Sequence, residues 1–318
     1  MTRRELMALL GAGAMAPTTR GAEWSPRVVP GVVGLAEATA ALGSPLSLEA
    51  ARSAVSGAVS AAVGAKPGRA ASAQLFRPGD TVGIKVNCLA GRKLSPRVEL
   101  VEALVELVAD AGVDRRRIIV FERSSRELRR AGFTVREQGG PYRCVGTDND
   151  YDDLPQDSGA IGSCFARLVS TECTALISFG VVKDHDLSGV SAGMKNWYGV
   201  IHNPNKYHDN GCDPYIADVA RHPYIRDKLR LTVLDGVIAQ CHGGPAYRQG
   251  STFELGLVAA STDPVAADLW AWQVIEAERA SRGLPTLEAA GRPVRYLATA
   301  AGHGLGVDDP ERLKLVTV

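Results

Sequence analysis

This 318-residue chain contains no stretch approaching the ~20 consecutive apolar residues that a membrane-spanning helix needs, so no membrane span is expected. Its six cysteines, Cys88, Cys144, Cys164, Cys173, Cys212 and Cys241, are scattered without a C-x-x-C pair, so neither an iron–sulfur cluster nor a locally coordinated structural zinc is expected. Net charge is only +1 and aromatic residues make up 6% of the chain. With no Lys/Arg block interleaved with aromatics, the electrostatic footprint of a nucleic-acid binder is missing. No His-x-x-x-His pair occurs, which removes the compact helical metal motif.

What remains is an ordinary globular composition, 45% hydrophobic and 22% charged, long enough for a sizeable core. The first residues, Met1-Thr2-Arg3-Arg4-Glu5-Leu6-Met7, precede a short, weakly apolar run, Ala8 to Ala16. Residues 1–22 therefore resemble a twin-arginine export signal with Arg3 and Arg4 as its pair, implying a periplasmic or extracellular destination. Residues 23–46 are rich in Pro, Gly and Thr and read as a linker or surface arm. An even cysteine count in an exported chain permits disulfides, although a buried small hydrophobe is the commoner role.

From residue 47 the pattern predicts one α/β domain reaching residue 318. Ser47 caps a helix with Leu48, Ala51, Val55, Val59 and Ala62 on one face, ending near Gly64. Arg77-Pro78-Gly79-Asp80 turns into a strand, Thr81–Val86. Ser95-Pro96 start a helix carrying Val98, Val101, Leu104, Val105 and Val108, closed by Gly112. A strand at Ile118–Phe121, a short helix Ser124–Ala131 and a strand at Phe133–Arg136 follow. This β-α-β-α-β order predicts a mostly parallel sheet flanked by helices. The acidic loop Asp148–Asp153 lacks the glycine and distal glutamate of an EF-hand and reads as solvated. Strands at Leu231–Leu234, Leu255–Ala260 and Leu313–Val318 and a helix at Val265–Ala280 complete the expectation.

Five expected strands, Leu176–Val182 among them, end in reactive or ionisable residues: Lys85/Asn87, Glu122/Arg123, Lys183/Asp184/His185, Asp235 and Asp263. Ligands of open parallel sheets bind outside the carboxyl ends of the strands, so the site is expected there. The densest group lies in Leu176–Asp213, where the apolar run Leu176–Val182 leads into Lys183-Asp184-His185-Asp186 and a Ser/Gly-rich loop. Lys195, Asn196, His202 and His208 follow. Gly193 before Met194-Lys195 reads as a loop entering a helix, where free N–H groups favour an anion. Lysine supplies point charge for a carboxylate or phosphate and imidazole moves protons near neutral pH. Asp235-Gly236 reads as a turn whose acid is also a candidate ligand. Asp263 caps the helix opened by Pro264 and is a candidate substrate contact.

Five short segments, VGIKVN at Val82–Asn87, VKDHD at Val182–Asp186 with GMKNWYG at Gly193–Gly199, Leu234–Gly236, and DPVAAD at Asp263–Asp268, make the chain similar to the DUF362 family of uncharacterised proteins. Many members of that family carry a ferredoxin-like cysteine cluster, which this chain lacks. A second, more distant likeness is to the lactate racemases. It implies His185 as acid/base, Lys195 holding a nickel-pincer nucleotide or an anionic group, and His202 or His208 as metal ligand.

The expected function is an exported enzyme performing acid/base chemistry, isomerisation or elimination, on a small anionic substrate such as a hydroxy acid or sugar acid. His185, Lys195 and Lys183 are its candidate catalytic groups, and Lys85, Asn87, Asn196 and Asp263 its substrate contacts. Asp184, His202, His208 and Asp235 are candidate ligands for a divalent metal. Two alternatives stand beside it. One is a metal-dependent hydrolase using Asp184, His185, His208 and Asp235 to activate water. The other is a binding protein for an anionic ligand or metal that turns nothing over.

Overall fold

The computed structural model describes residues 24–318; the Arg3–Arg4 pair lies outside them. In chain order the elements are β1 (Val32–Glu37), α1 (Leu48–Val63), α2 (Arg69–Ser72), β2 (Val82–Val86), α3 (Val98–Asp110), β3 (Ile118–Glu122), α4 (Ser125–Ala131) and β4 (Arg143–Gly146). A small hairpin, β5 (Gln156–Ser158) and β6 (Ile161–Ser163), precedes β7 (Ala175–His185) and β8 (Gly189–Ser191). After three short 3-10 turns come α5 (Tyr215–Arg221), α6 (Pro223–Arg226), β9 (Leu229–Gln240), β10 (Thr252–Ser261), α7 (Pro264–Ser281), α8 (Tyr296–Gly302) and β11 (Lys314–Thr317). Among these, no helix is long and apolar enough to cross a membrane. All six cysteines are free.

The α/β class expected from the sequence is the one the chain adopts. One sheet runs β11-β1-β10-β9-β7-β2-β3-β4, with β8 folded back on β7. Only β10 and β8 pair antiparallel to their neighbours, so the other strands share one direction. Core fills both faces. Val82, Ile84 and Val86 of β2 face Leu100, Leu104 and Val108 of α3 and Val55 and Val59 of α1. On the other face Leu176 and Val182 of β7 join Trp197, Ile216 and the apolar side of α7. Burying each such side chain stabilises the fold by about 1.5–3 kcal/mol. Helix α1 lies so close to β1 that a Cβ at Gly34 would meet the Ala58 carbonyl oxygen at 2.1 Å.

Cap residues set the ends of α1 and α4 as their local chemistry predicts. Ser47 accepts from the Ala50 N–H at 3.1 Å and Gly64 closes α1 at φ 67°. Ser124 and Gly132 bound α4 in the same way.

Elsewhere the structure corrects the sequence reading. Residues 32–37, expected within a linker, form a strand in the sheet, held because β10 and β11 pair with both its edges. The strand expected at Phe133–Arg136 is absent; Arg136 makes a single bridge to Cys144, and the strand beside β3 is β4. Ser95 does not cap α3. Its hydroxyl donates to the Gly91 carbonyl, and Arg97 is the capping residue, with its N–H bound by the Asp235 carboxylate at 2.9 Å. Asp235-Gly236 is no turn, because β9 continues to Gln240. Likewise β7 carries Lys183, Asp184 and His185 inside the strand, since β8 pairs with them.

Candidate functional site

Strand β2 has β3 on one side and β7 on the other, so the chain leaves it in one direction and returns on the other flank. That is a topological switch point, where neighbouring loops part to leave a crevice. A cavity of about 330 Å³ opens there. Lys85 and Asn87 come from the end of β2, Glu122 and Arg123 from the end of β3, and His185 and Ser191 from the β7–β8 hairpin. The 3-10 turn Lys195–Val200 adds Lys195, Asn196, Tyr198 and Gly199, and His208 follows from the next turns.

One wall is a closed network. Lys85 Nζ donates to Glu122 Oε1 and to the Val86 carbonyl, both at 2.7 Å, and to Asn196 Oδ1 at 3.0 Å. All three ammonium protons are thereby used. Glu122 in turn accepts the backbone N–H groups of Cys88 and Arg123, and Asn196 donates to the Lys85 carbonyl and the Ser178 hydroxyl. A Cβ at Gly199 would sit 2.6 Å from Lys85 Cε, so glycine is what lets this lysine lie flat across the wall. Lys85, expected to hold substrate, thus lines the cavity with its ammonium paired to Glu122.

The other wall is under-satisfied. Lys195 Nζ lies 3.1 Å from His208 Nε2 and 4.0 Å from the centre of the Tyr198 ring, with no carboxylate in ion-pair range among the described residues. Burial pulls its amine down to about 8, although the Cys212 thiol and Asp186 act in the other direction. His208 Nδ1 is 3.0 Å from the Pro204 carbonyl oxygen, which accepts only, so Nδ1 carries the proton and Nε2 is left with a lone pair toward Lys195. Burial, then the charge of Lys195, lowers the His208 pKa.

His185 takes the opposite tautomer. Backbone N–H groups of Leu187 and Ser188 point at its Nδ1 at 3.1 and 3.4 Å, so the neutral ring carries its proton on Nε2. Burial, then the charge of Lys195, pushes its pKa down to about 2, which keeps the ring neutral even though Asp186 Oδ1 lies 3.0 Å from Nδ1. The rings of His185 and His208 stack with centroids 6.0 Å apart. In this tautomer His185 accepts at Nδ1 and has its Nε2–H to donate.

Lys183 is directly opposite Ser191 in the hairpin and two residues before His185, so all three share one face of β7–β8. It is fully buried, outside the cavity lining, and its Nζ has no hydrogen-bond partner. Burial brings it to about 8.

The remaining residues named from sequence are not brought to this cavity. Asp184 accepts the Gly244 N–H and an Arg292 N–H, both at 2.8 Å. Asp235 binds the Arg97 and Val237 N–H groups. Asp263 caps α7 through Ala266 and also takes the Gly31 and Val307 N–H groups. His202 is exposed, edge-on to Tyr151. Each acid is committed to backbone that the fold must hold, and among the described residues no group of three or more His, Cys, Asp or Glu converges to hold a metal ion. Of the groups assigned to a nickel-pincer nucleotide, Lys195 and His208 line the cavity and His202 does not.

The anion expected at the Gly193 turn is supplied by the chain itself. Asp268 of α7, fully buried, accepts the Gly193 N–H at 2.7 Å and the Met194 N–H at 3.1 Å, and receives the Tyr296 hydroxyl at 2.8 Å. Burial raises its carboxyl to about 6. Asp268 fixes the backbone that carries Lys195, a role sequence reasoning missed, although the residue ends the DPVAAD segment. Tyr198 and Cys212 were missed as well, because nothing in an isolated tyrosine or cysteine marks it.

A DUF362 family model, described as a domain of unknown function, matches residues 82–273, which include every residue lining the cavity. A comparison with curated proteins finds no match. Among solved structures, a protein from Thermotoga maritima aligns with a TM-score of 0.44 and 12% identity, covering 76% of this chain and 61% of its own. None of these comparisons supports the likeness to the lactate racemases.

Proposed function

The chain belongs to the DUF362 family, and from that premise, which brings no activity with it, we propose an enzyme that performs acid/base chemistry on a small anionic substrate. Isomerisation or elimination of a hydroxy acid or sugar acid is the reaction class. The observation that carries this reading is the convergence of Lys195, His208 and His185 on one cavity with their protons assigned to different atoms. The Lys195–His208 pair, sharing protons across 3.1 Å, takes a proton from substrate carbon or oxygen. His185 offers Nε2–H to a developing oxyanion, as a neutral imidazole does when its charged form is suppressed. Arg123 at the cavity wall supplies charge for the substrate's carboxylate.

The test is solvent exchange. Incubated in D2O with a panel of 2-hydroxy acids and aldonic acids, the protein is expected to wash out the C2 proton of at least one, as read by proton NMR. Lys195→Met is expected to abolish the exchange. Exchange that survives in this variant, or its absence across the panel from the wild-type protein, would sink the assignment. Export by the twin-arginine route remains part of the proposal, resting on Arg3 and Arg4. Replacing both with lysine is expected to leave the protein in the cytoplasmic fraction, and unchanged export would remove that part.

A further inference from the structure

We propose that Lys195 is a covalent nucleophile whose amine condenses with the carbonyl of a 2-oxo acid, His208 serving as its base and His185 as the group that binds the carbonyl oxygen. The inference rests on the acid/base reading above and extends its substrate from the hydroxy acid to the 2-oxo acid, whose carbonyl an amine can attack.

Three lysines surround the cavity region, and the geometry separates them. Lys85 has its three protons committed to Glu122, Val86 and Asn196. Lys183 is sealed behind the lining. Lys195 alone of the three both faces the cavity and lacks an acid partner among the described residues. Its neighbour His208 is held by the Pro204 carbonyl in the tautomer that can accept a proton from Nζ. A nucleophile within reach of a base, with that base oriented by a third group, is the general pattern of an activated nucleophile. The second imidazole, His185, is fixed by the Leu187 and Ser188 amides in the tautomer that donates.

The step balances without oxidant or reductant. His208 Nε2 takes a proton from the Lys195 ammonium, and the freed Nζ pair attacks the substrate carbonyl carbon. A C–N bond forms while the carbonyl π pair moves to oxygen, where the His185 N–H meets it. Return of the proton from His208 to that oxygen gives the carbinolamine. The C–O bond then breaks with a second proton transfer, water leaves, and an imine remains. The imine, protonated, acidifies the C3–H of the oxo acid, the proton whose removal starts isomerisation or elimination of this substrate. Burial, which holds the Lys195 amine at about 8, keeps a usable fraction free near neutral pH.

Pyruvate with sodium cyanoborohydride is the probe. The full-length protein is expected to gain the mass of one reduced pyruvyl adduct, and peptide mapping to locate it on Lys195. Lys195→Met loses that adduct, and His208→Asn forms it about a hundredfold more slowly, the usual loss on removing a general base. No adduct, or one spread over surface lysines and unaltered in Lys195→Met, overturns the proposal. Mapping of the wild-type protein decides the matter even where a variant fails to fold. Exchange of a hydroxy acid's C2 proton in D2O without any trapped pyruvate adduct overturns the covalent step while leaving the acid/base reading standing; an adduct on Lys195 without that exchange supports the covalent step and counts against that reading.

Discussion

On the β2–β3 wall of the cavity Lys85 meets a carboxylate, a carbonyl and an amide oxygen; on the β7–β8 wall Lys195 meets a histidine and the face of a tyrosine. Both lysines are buried, at 1% and 7% exposure, so the difference lies in their partners and not in their access to water. A buried ammonium matched to a carboxylate and two more acceptors is held in place as a charge. One matched to a lone pair and a π face keeps its proton loosely and can act as an amine. The cavity therefore joins a fixed wall to a reactive one.

The comparison breaks first at Glu122. Glu122→Ala leaves the Lys85 charge buried without its acid and is expected to cost about 3–5 kcal/mol in guanidinium denaturation. The double variant Lys85→Met/Glu122→Gln recovers most of that loss; equal losses in single and double variants would show that the two do not form a unit. Next is Asp268→Asn, where an amide N–H faces a donor in place of a carboxylate oxygen. It is expected to cost about 1–3 kcal/mol, with faster hydrogen exchange at Gly193 and Met194.

A pH comparison sharpens the reactive wall. His185 has a folded pKa of about 2 against an ordinary 6.5, so between these values the unfolded chain binds the extra proton and the group's contribution to stability is lost as pH falls below 6.5. The stability difference between wild type and His185→Asn should change by about 1.4 kcal/mol per pH unit in that window. Asp268, raised to about 6 from 3.8, works in the opposite direction between those values, so wild type alone responds weakly there and the difference measurement is needed. The last expected effect is that of Lys195→Met, whose stability difference from wild type should change by about 3 kcal/mol across the window between the two pKa values. Its sign follows from a folded pKa of about 8 against 10.5: the variant gains most below pH 8, and the gain fades toward 10.5. Thermal melts at pH 7 and pH 10 check it.

Where local chemistry dictates an element, the sequence already carried it. Ser47 and Gly64 bound α1, Ser124 and Gly132 bound α4, and the apolar run of β2 stops at Val86. Long-range pairing was invisible. Strand β1 is six residues between Pro/Gly-rich flanks, and it is a strand because β10 and β11 flank it. β7 ends in polar yet buried residues and β9 carries Asp235-Gly236 in its middle, so a reading by apolar run and turn signal stops both early. At the site, the density of ionisable residues after residue 182 pointed to Lys195, His185 and His208. Telling His208 from His202 was beyond it, since both lie in one polar stretch and the irregular turns between them decide which ring faces inward. Nor could composition reveal that Lys85 is ion-paired, because Glu122 comes from a neighbouring strand.

The Asp268–Tyr296 and Asp184–Arg292 bonds bear on how the protein can be cut. The family match stops at residue 273, inside α7, while Tyr296 and Arg292 lie beyond it and β1, the strand that covers the edge of β10, lies before residue 82. A fragment trimmed to the matched stretch would sever a helix and bare a sheet edge, inviting aggregation. It would also strip both braces from the segments carrying His185 and Lys195. Expression trials guided by family boundaries would then report an inert, sticky protein, and the defect would belong to the scissors.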